Sequence, residues 1–276
     1  MIIDSHQHFW KYHPEKHAWI DDDMKAIRQD YLPEMLKKEY QNHDIQGCVT
    51  VQADQTEAEN KFLLELALNN DFIKAVVGWV DFKSPNLEEK LYFYAKHEKL
   101  KGFRHIVQAE QDLNFLLRKP FLEGIKQLAE HDFTYDILIF PHQLGAVLEF
   151  VQALPDQRFV IDHIAKPYIK DGFFAGWANQ MKAIGACENV WCKVSGMVNE
   201  AGYDTWRYET MEPYIDLVLE AFGPSRLMFG SDWPVCLVAG DYEDILNVAK
   251  RFAARLSLEE RDQFWYKNVK EFYNLK

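Results

Sequence analysis

Short apolar segments of strand length recur eight times along the chain, and each is followed by a stretch with helical periodicity. Strands that alternate with helices and are apolar on both faces are typical of a parallel sheet covered by helices. Eight such units in 276 residues favour closure into a (β/α)8 TIM barrel over an open, doubly wound sheet. We expect a single domain that spans residues 1–276. The eight apolar runs cover residues 1–5, 45–53, 75–81, 101–106, 135–140, 158–164, 189–195 and 226–230.

The segments between these runs indicate where helices begin and which connections are long. A helix is predicted at about residues 57–70, and the next one begins at Asn86. Residues 257–260 read Ser-Leu-Glu-Glu, a capping box that predicts a last helix closing the outer ring. The connections 9–32 and 199–207 are longer than usual, which is typical of lids or of loops that select a substrate. No Gly-x-Gly-x-x-Gly follows a strand, so dinucleotide binding is not expected.

The charge balance excludes several classes of partner. A net charge of −12 and an isoelectric point near 5.3 argue against binding to nucleic acid or to an anionic membrane surface. No apolar run is long enough to span a bilayer. A secretory leader is not expected, because its removal would also remove the histidines that begin at residue 6. Four cysteines without a Cys-x-x-Cys pair predict reduced thiols in a cytoplasmic protein.

Four side chains capable of chemistry follow three of the predicted strands. His6 and His8 leave the first strand on the same face, with Cα atoms about 7 Å apart, because side chains alternate along a strand. His163 ends the sixth predicted strand and Asp232 ends the eighth. The first and eighth strands are neighbours in a closed barrel, and active sites form at the carboxyl ends of its strands. Three imidazoles and one carboxylate are suitable ligands for zinc or another divalent ion.

Each of these residues also has a simpler structural interpretation. The His-x-His pair could lie on the surface of a hairpin, and His163 could be a core histidine bonded to a backbone carbonyl. Asp232 could cap the turn that follows it. The coincidence of all four at one rim favours the functional interpretation.

Four motifs around these residues resemble the amidohydrolase superfamily, in particular its branch of L-fuconolactonases and L-rhamnonolactonases. The resemblance extends over the whole chain, including residues 30–33 in the first long connection and residues 268–275 at the end. The motifs are His6-Gln7-His8-Phe9-Trp10, Gly102-Phe103-Arg104-His105, Asp162-His163-Ile164-Ala165-Lys166-Pro167 and Gly230-Ser231-Asp232-Trp233-Pro234.

The resemblance implies one divalent cation, with zinc as the expected ion, although it also leaves metal-free catalysis open. Relatives with two metals carry a carbamylated lysine at the end of the fourth strand, where this chain has Arg104 and His105. A second metal is therefore not expected. The implied metal ligands are His6, His8, His163 and Asp232.

The implied reaction is the opening of a small sugar lactone by water. Asp232 is predicted to accept the proton of the attacking water and to return it to the leaving ring oxygen. His163 and Arg104 are the other predicted catalytic residues, and they orient or grip oxygens of the substrate. The candidates for binding the hydroxyl groups and the ring of the sugar are Gln52, Trp79, His105, His142, Lys166 and Trp233.

Two other functions remain open from the sequence. A dicarboxylate lactonase or a decarboxylase of the same superfamily would need several arginines at the rim. The chain offers Arg104 and, in a long loop, Arg207. A barrel that only binds a sugar acid, without catalysis, is the non-enzymatic alternative. The sequence carries no signal for the oligomeric state.

Overall fold

Eight parallel strands form one sheet in which each strand pairs with the next along the chain, from β1 to β8. The computed structural model describes residues 1–276 and confirms the predicted TIM barrel. The strands are Ile3–Gln7 (β1), Gly47–Val51 (β2), Ile73–Gly78 (β3), Leu100–His105 (β4), Thr134–Ile137 (β5), Phe159–Ile161 (β6), Val190–Val194 (β7) and Leu227–Phe229 (β8).

Eleven α-helices connect or follow the strands, and a cluster of 71 buried side chains packs helices onto the outer face of the sheet. The predicted helix at 57–70 is confirmed as α2, and Asn86 is the residue before α3. The helices are Pro33–His43 (α1), Glu57–Asn69 (α2), Leu87–Tyr94 (α3), Lys119–Glu130 (α4), Leu144–Ala153 (α5), Ala175–Gly185 (α6), Met197–Ala201 (α7), Tyr208–Phe222 (α8), Tyr242–Ala253 (α9), Leu258–Asp262 (α10) and Asn268–Phe272 (α11).

A bulge in β1 changes the direction of its side chains. Ile3 and Asp4 face Gly47 and Cys48 of β2, but Gln7 faces Thr50, so β1 has one residue more than its partner. Strict alternation would place Asp4 and His6 on the same face. The extra residue instead leaves Asp4 among the outer helices and turns His6 into the barrel, as bulges beside active sites commonly do.

The barrel closes between β1 and β8 without a regular ladder of hydrogen bonds. One isolated bridge joins Gln7 to Trp233, and two backbone hydrogen bonds cross beyond the end of β8, from His8 N to Trp233 O and from Asp232 N to His6 O. The buried carboxylate of Asp4 reinforces this seam. Its Oδ1 accepts the backbone N–H groups of His6 at 3.1 Å and of Ser231 at 2.8 Å.

The prediction that the last helix closes the outer ring of the barrel is wrong. The capping box at Ser257 is confirmed at the start of α10, but the helix that follows β8 in the outer ring is α9. The last segment runs beneath the barrel instead. There Phe272 and Tyr273 belong to the same apolar cluster as the inward-facing Ile3 and Met228. The chain therefore plugs the end of the barrel opposite to the carboxyl ends of the strands.

The two long connections are partly ordered by their own contacts. Trp10 and Tyr31 pair as an antiparallel bridge, so the connection 9–32 is a loop whose ends are tied together. The connection 199–207 is partly helical, because α7 extends into it as far as Ala201. No helix is both long and apolar enough to cross a membrane.

Candidate active site

Three ligand-type side chains from the two ends of the chain meet at the carboxyl end of the barrel. His6 Nε2 lies 3.2 Å from His8 Nε2, and Asp232 Oδ1 lies 3.5 Å from His8 Nε2 and 3.9 Å from His6 Nε2. All three residues are no more than 5% exposed. The bulge aims the two histidines inward, and the crossing hydrogen bonds of the seam place Asp232 beside them.

Burial keeps the imidazoles of the site neutral. It lowers the pKa of His8 and lowers the pKa values of His6 and His163 well below the usual value. A neutral imidazole has one nitrogen with a free lone pair. In His8 that nitrogen is Nε2, because Nδ1 donates its hydrogen to the carbonyl oxygen of Val51 at 2.7 Å. His8 Nε2 can therefore act as a ligand or a hydrogen-bond acceptor.

Asp232 is ionised in this environment. Burial alone would raise the pKa of its carboxyl, but the polar imidazoles of His163 and His8 and the positive charge of Lys166 lower it below the usual value. Its backbone adopts the left-handed conformation with φ of 58°. The neighbouring Gly230 permits the close approach of β1, because a Cβ there would lie 2.8 Å from the Cβ of His6.

His163 lies two residues beyond β6, not at its end as predicted, and four consecutive residues from His163 to Lys166 have positive φ. Such a conformation costs about 1–2 kcal/mol for each residue other than glycine. Packing holds it in place, because Ile164 and Ala165 are fully buried and the indole of Trp177 donates to the Ile164 carbonyl at 2.9 Å. His163 Nε2 consequently lies 3.8 Å from Asp232 Oδ1.

Arg104 reaches the same cluster from β4, but its guanidinium contacts protein atoms. One terminal nitrogen, Nη1, donates to Asp162 Oδ2 at 3.0 Å and lies 3.4 Å from His6 Nε2. The other, Nη2, donates to the backbone carbonyl and the side chain of Gln52. The Gln52 amide in turn donates to the Arg104 carbonyl at 3.1 Å. Gln52, predicted to bind the sugar, therefore holds Arg104.

Three charged residues that the sequence interpretation did not assign lie beneath this cluster. Lys193 on β7 is fully buried and contacts both Asp136 on β5 and Asp162 after β6. Burial alone would raise the pKa of Asp162, but Lys193 and His6 hold it well below the usual value. The sequence did hint at this network, because the three charged residues lie within apolar strand-like runs. A charged side chain is costly to bury there unless it is paired with an opposite charge. We call Lys193, Asp136, Asp162 and Arg104 the floor network.

The predicted residues at the carboxyl ends of β3 and β4, Trp79 and His105, form a separate group. Trp79 Nε1 donates to His105 Nδ1 at 3.2 Å, and His105 Nε2 donates to Glu110 Oε1 at 2.7 Å. The His105 ring also stacks on Phe115, with centroids 4.9 Å apart. Both ring nitrogens of His105 thus have protein partners, and neither is free for a sugar hydroxyl in this arrangement.

His142, Lys166 and Trp233 occupy three different environments. His142 is exposed in a short turn after β5, where its Nδ1 lies 2.9 Å from the hydroxyl of Tyr168. The Lys166 ammonium lies 5.6 Å from the centre of the Phe140 ring. Trp233 is 3% exposed and packs edge-on against Tyr31, so it belongs to the wall beneath the first loop.

Glu200 is a carboxylate near the site that the sequence interpretation missed. It lies on α7, within the connection predicted to select the substrate. Burial raises its pKa, the charge of Asp232 adds to this effect, and the charge of Lys166 opposes it. The charges of Lys166 and Asp232 therefore both act on the Glu200 carboxyl.

The donor set suits a divalent cation. The ligand atoms of His6, His8 and Asp232 all lie within 4.8 Å of one another. The two imidazoles are neutral, the carboxylate is charged, and Asp162 Oδ1 lies 3.2 Å from His6 Nδ1. Carboxylate partners of this kind orient metal-binding histidines in proteins. The residues present thus fit the cation that the sequence implied.

Comparison with known proteins identifies relatives of this chain. The family model described as Amidohydrolase matches residues 3–275. The chain is 39% identical over 277 residues to an L-fucono-1,5-lactonase of Burkholderia multivorans. The alignment covers 95% of this chain and 92% of that protein. An L-rhamnono-gamma-lactonase of Scheffersomyces stipitis is 24% identical and covers 64% of the chain. A crystal structure of a Burkholderia multivorans amidohydrolase with bound zinc superposes over 100% of both chains, with a TM-score of 0.97 and 38% identity.

Proposed function

The chain belongs to the amidohydrolase family, and from this premise we propose that it hydrolyses a sugar-acid lactone of the L-fucono-1,5-lactone type. Water attacks the lactone carbonyl, the bond from that carbon to the ring oxygen breaks, and the product is the open-chain aldonate. The product acid ionises, so each turnover releases one proton to the solvent.

The observation that carries the proposal is the position of the Asp232 carboxylate among three neutral imidazoles. Its Oδ1 lies 3.5 Å from His8 Nε2 and 3.8 Å from His163 Nε2. Because its pKa is lowered, Asp232 is ionised at neutral pH and has a lone pair that can accept a proton. Asp232 accepts a proton from the attacking water and returns it to the ring oxygen as that oxygen leaves.

The other residues of the cluster hold the reacting groups in place. His163 Nδ1 lies 2.9 Å from the Ser195 hydroxyl, which orients the ring so that Nε2 faces the side of Asp232. His6 is held from below by Asp162 and Arg104. His163 orients the lactone carbonyl, and the floor network keeps His6 in position beneath it.

The residues that would hold the metal are His6, His8 and Asp232, with His163 as a further ligand. Zinc is the ion we propose, since zinc is bound in the crystal structure of the 38% identical amidohydrolase. When bound, a divalent cation polarises the carbonyl and stabilises the negative charge that develops on its oxygen.

The charges at the site favour a neutral, hydroxyl-rich lactone over a dicarboxylate. Arg104 is the arginine at the cluster, and both of its terminal nitrogens are bonded to the protein. Arg207 is exposed and precedes α8. The Arg104 guanidinium is therefore not free to bind a second carboxylate of a substrate, which a dicarboxylate lactonase or a decarboxylase would require.

Acid release from a panel of lactones tests the proposal. The purified protein is mixed with L-fucono-1,5-lactone, an L-rhamnonolactone and a dicarboxylate lactone in weak buffer with a pH indicator, with and without a chelator. We expect acid release from the sugar lactones above the uncatalysed rate. Turnover of the dicarboxylate alone would replace the proposal with its nearest rival, and no turnover of any lactone would refute it.

Asp232→Asn is the matched variant, because the amide keeps the shape of the side chain but cannot accept the proton. We expect kcat to fall by about 10²–10⁴-fold, the range supplied by a general base. Circular dichroism checks that the barrel is intact. Retained turnover in a folded variant would show that Asp232 is not the base.

A further inference from the structure

The ammonium of Lys193 lies among atoms that could otherwise bind a second cation. Besides the first group of ligand atoms, His6, Asp162 and His163 form a second group in which all the atoms are within 4.8 Å of one another. Lys193 Nζ lies 3.1 Å from His6 Nδ1 and 3.0 Å from Asp162 Oδ1. Asp136 Oδ2 completes its contacts from a third side.

The charges of the floor network balance. Two cationic side chains, Lys193 and Arg104, pair with two carboxylates, Asp136 and Asp162, and all four are at most 3% exposed. An additional divalent ion would add two uncompensated charges in a region where unpaired charge is costly. An ion between Asp136 and Asp162 would also have to displace the ammonium, which already contacts both carboxylates.

We propose that Lys193 is a built-in cation that restricts this barrel to one divalent ion. Its ammonium occupies the place of a second metal, supplies the positive charge there, and holds Asp162 against His6. Lys193 is a positioning residue, because no contact joins it to Asp232. The inference rests on the metal site of the proposed function and not on which lactone is opened.

The fixed stem of Lys193 supports this role. Its ammonium lies 5.6 Å from the centre of the Tyr273 ring, and the Tyr273 hydroxyl donates to Asp136 Oδ2 at 2.8 Å. Tyr273 belongs to the plug beneath the barrel. The lysine is thus held from below by the end of the chain, and it approaches His6 from the side opposite to Asp232.

The stoichiometry of zinc tests the proposal without any substrate. The chain is dialysed against excess zinc, desalted, and its metal content is measured by mass spectrometry. We expect the unaltered protein to retain about one equivalent per chain and Lys193→Ala to retain about two, because the vacated carboxylates of Asp136 and Asp162 are zinc ligands. In Lys193→Ala with Asp136→Asn, which restores the charge balance and removes one ligand, we expect about one again.

Each outcome bears on the proposal. Lys193→Ser also vacates the position of the ammonium, so it replaces the alanine variant if that one fails to fold, and it is expected to gain zinc in the same way. A folded variant that still retains one equivalent would overturn the proposal, as would an unaltered protein that retains two or none. Lactone turnover is not measured in this experiment, so a wrong substrate leaves its result unchanged.

Discussion

Glu59 should make the stability of the barrel decrease as the pH rises towards neutrality. It lies in the first turn of α2, and its Oε1 accepts the backbone N–H of Ala53 at 3.2 Å. Burial raises its pKa from 4.5 to about 7, and the negative charge of Asp54 adds to the increase. In the folded protein, therefore, Glu59 still holds its proton at pH values where the unfolded chain has lost it.

The magnitude follows from the difference between the two pKa values. Unfolding releases the proton between the unfolded and folded pKa, so the free energy of unfolding falls as the pH rises through that window. At about 1.4 kcal/mol per pKa unit, the loss reaches at most about 3 kcal/mol above about pH 7. The loss begins above about pH 4.5, where the unfolded side chain starts to ionise.

Urea unfolding of the unaltered protein and of Glu59→Gln at several pH values measures this effect. Glutamine keeps the acceptor for Ala53 but does not titrate. Relative to this variant, we expect the unaltered protein to lose about 2 kcal/mol between about pH 5 and about pH 7.5. Parallel curves for the two proteins over this range would refute the argument, because Glu59 would then have the same pKa folded and unfolded.

Two further predictions concern the seam and the orientation of His163. Asp4→Leu should lower the free energy of unfolding by about 2–6 kcal/mol, because it leaves two buried backbone N–H groups without acceptors. Tyr242→Phe removes only one donor to Asp4 and should lower the free energy of unfolding by about 1 kcal/mol. Chemical denaturation compares them, and equal losses would contradict the assigned role of the carboxylate. Ser195→Ala should lower kcat or zinc affinity by about 10–100-fold, since it removes the partner of His163 Nδ1. Steady-state kinetics and zinc titration measure both quantities, and unchanged values would exclude an orienting role for the hydroxyl.

The architecture and the meeting of the chain ends could be predicted from the sequence because both depend on periodicity. Alternating apolar runs predict the parallel barrel, and closure brings the first and last strands together. His6, His8 and Asp232 then lie at one rim by topology alone. No side-chain detail is needed for that prediction.

The parts that depend on local backbone geometry could not be predicted in this way. The bulge in β1 is one extra residue in a run that otherwise alternates, and the left-handed turn at His163 uses residue types that normally avoid that conformation. The role of Lys193 depends on partners 31 and 57 positions away, Asp162 and Asp136. These distant pairings have no periodicity, and only the cost of a buried charge hinted at them.

The irregular closure between β1 and β8 is required to assemble the active site. The residues joined there stand at opposite ends of the polypeptide, and Asp4 bonds to Ser231 across 227 positions. Bringing together groups that are so far apart in the chain costs loop-closure entropy. A nascent or truncated chain that lacks the β8 end therefore has no active site. Local opening of the seam between β1 and β8 would inactivate the protein while most of its core stays folded.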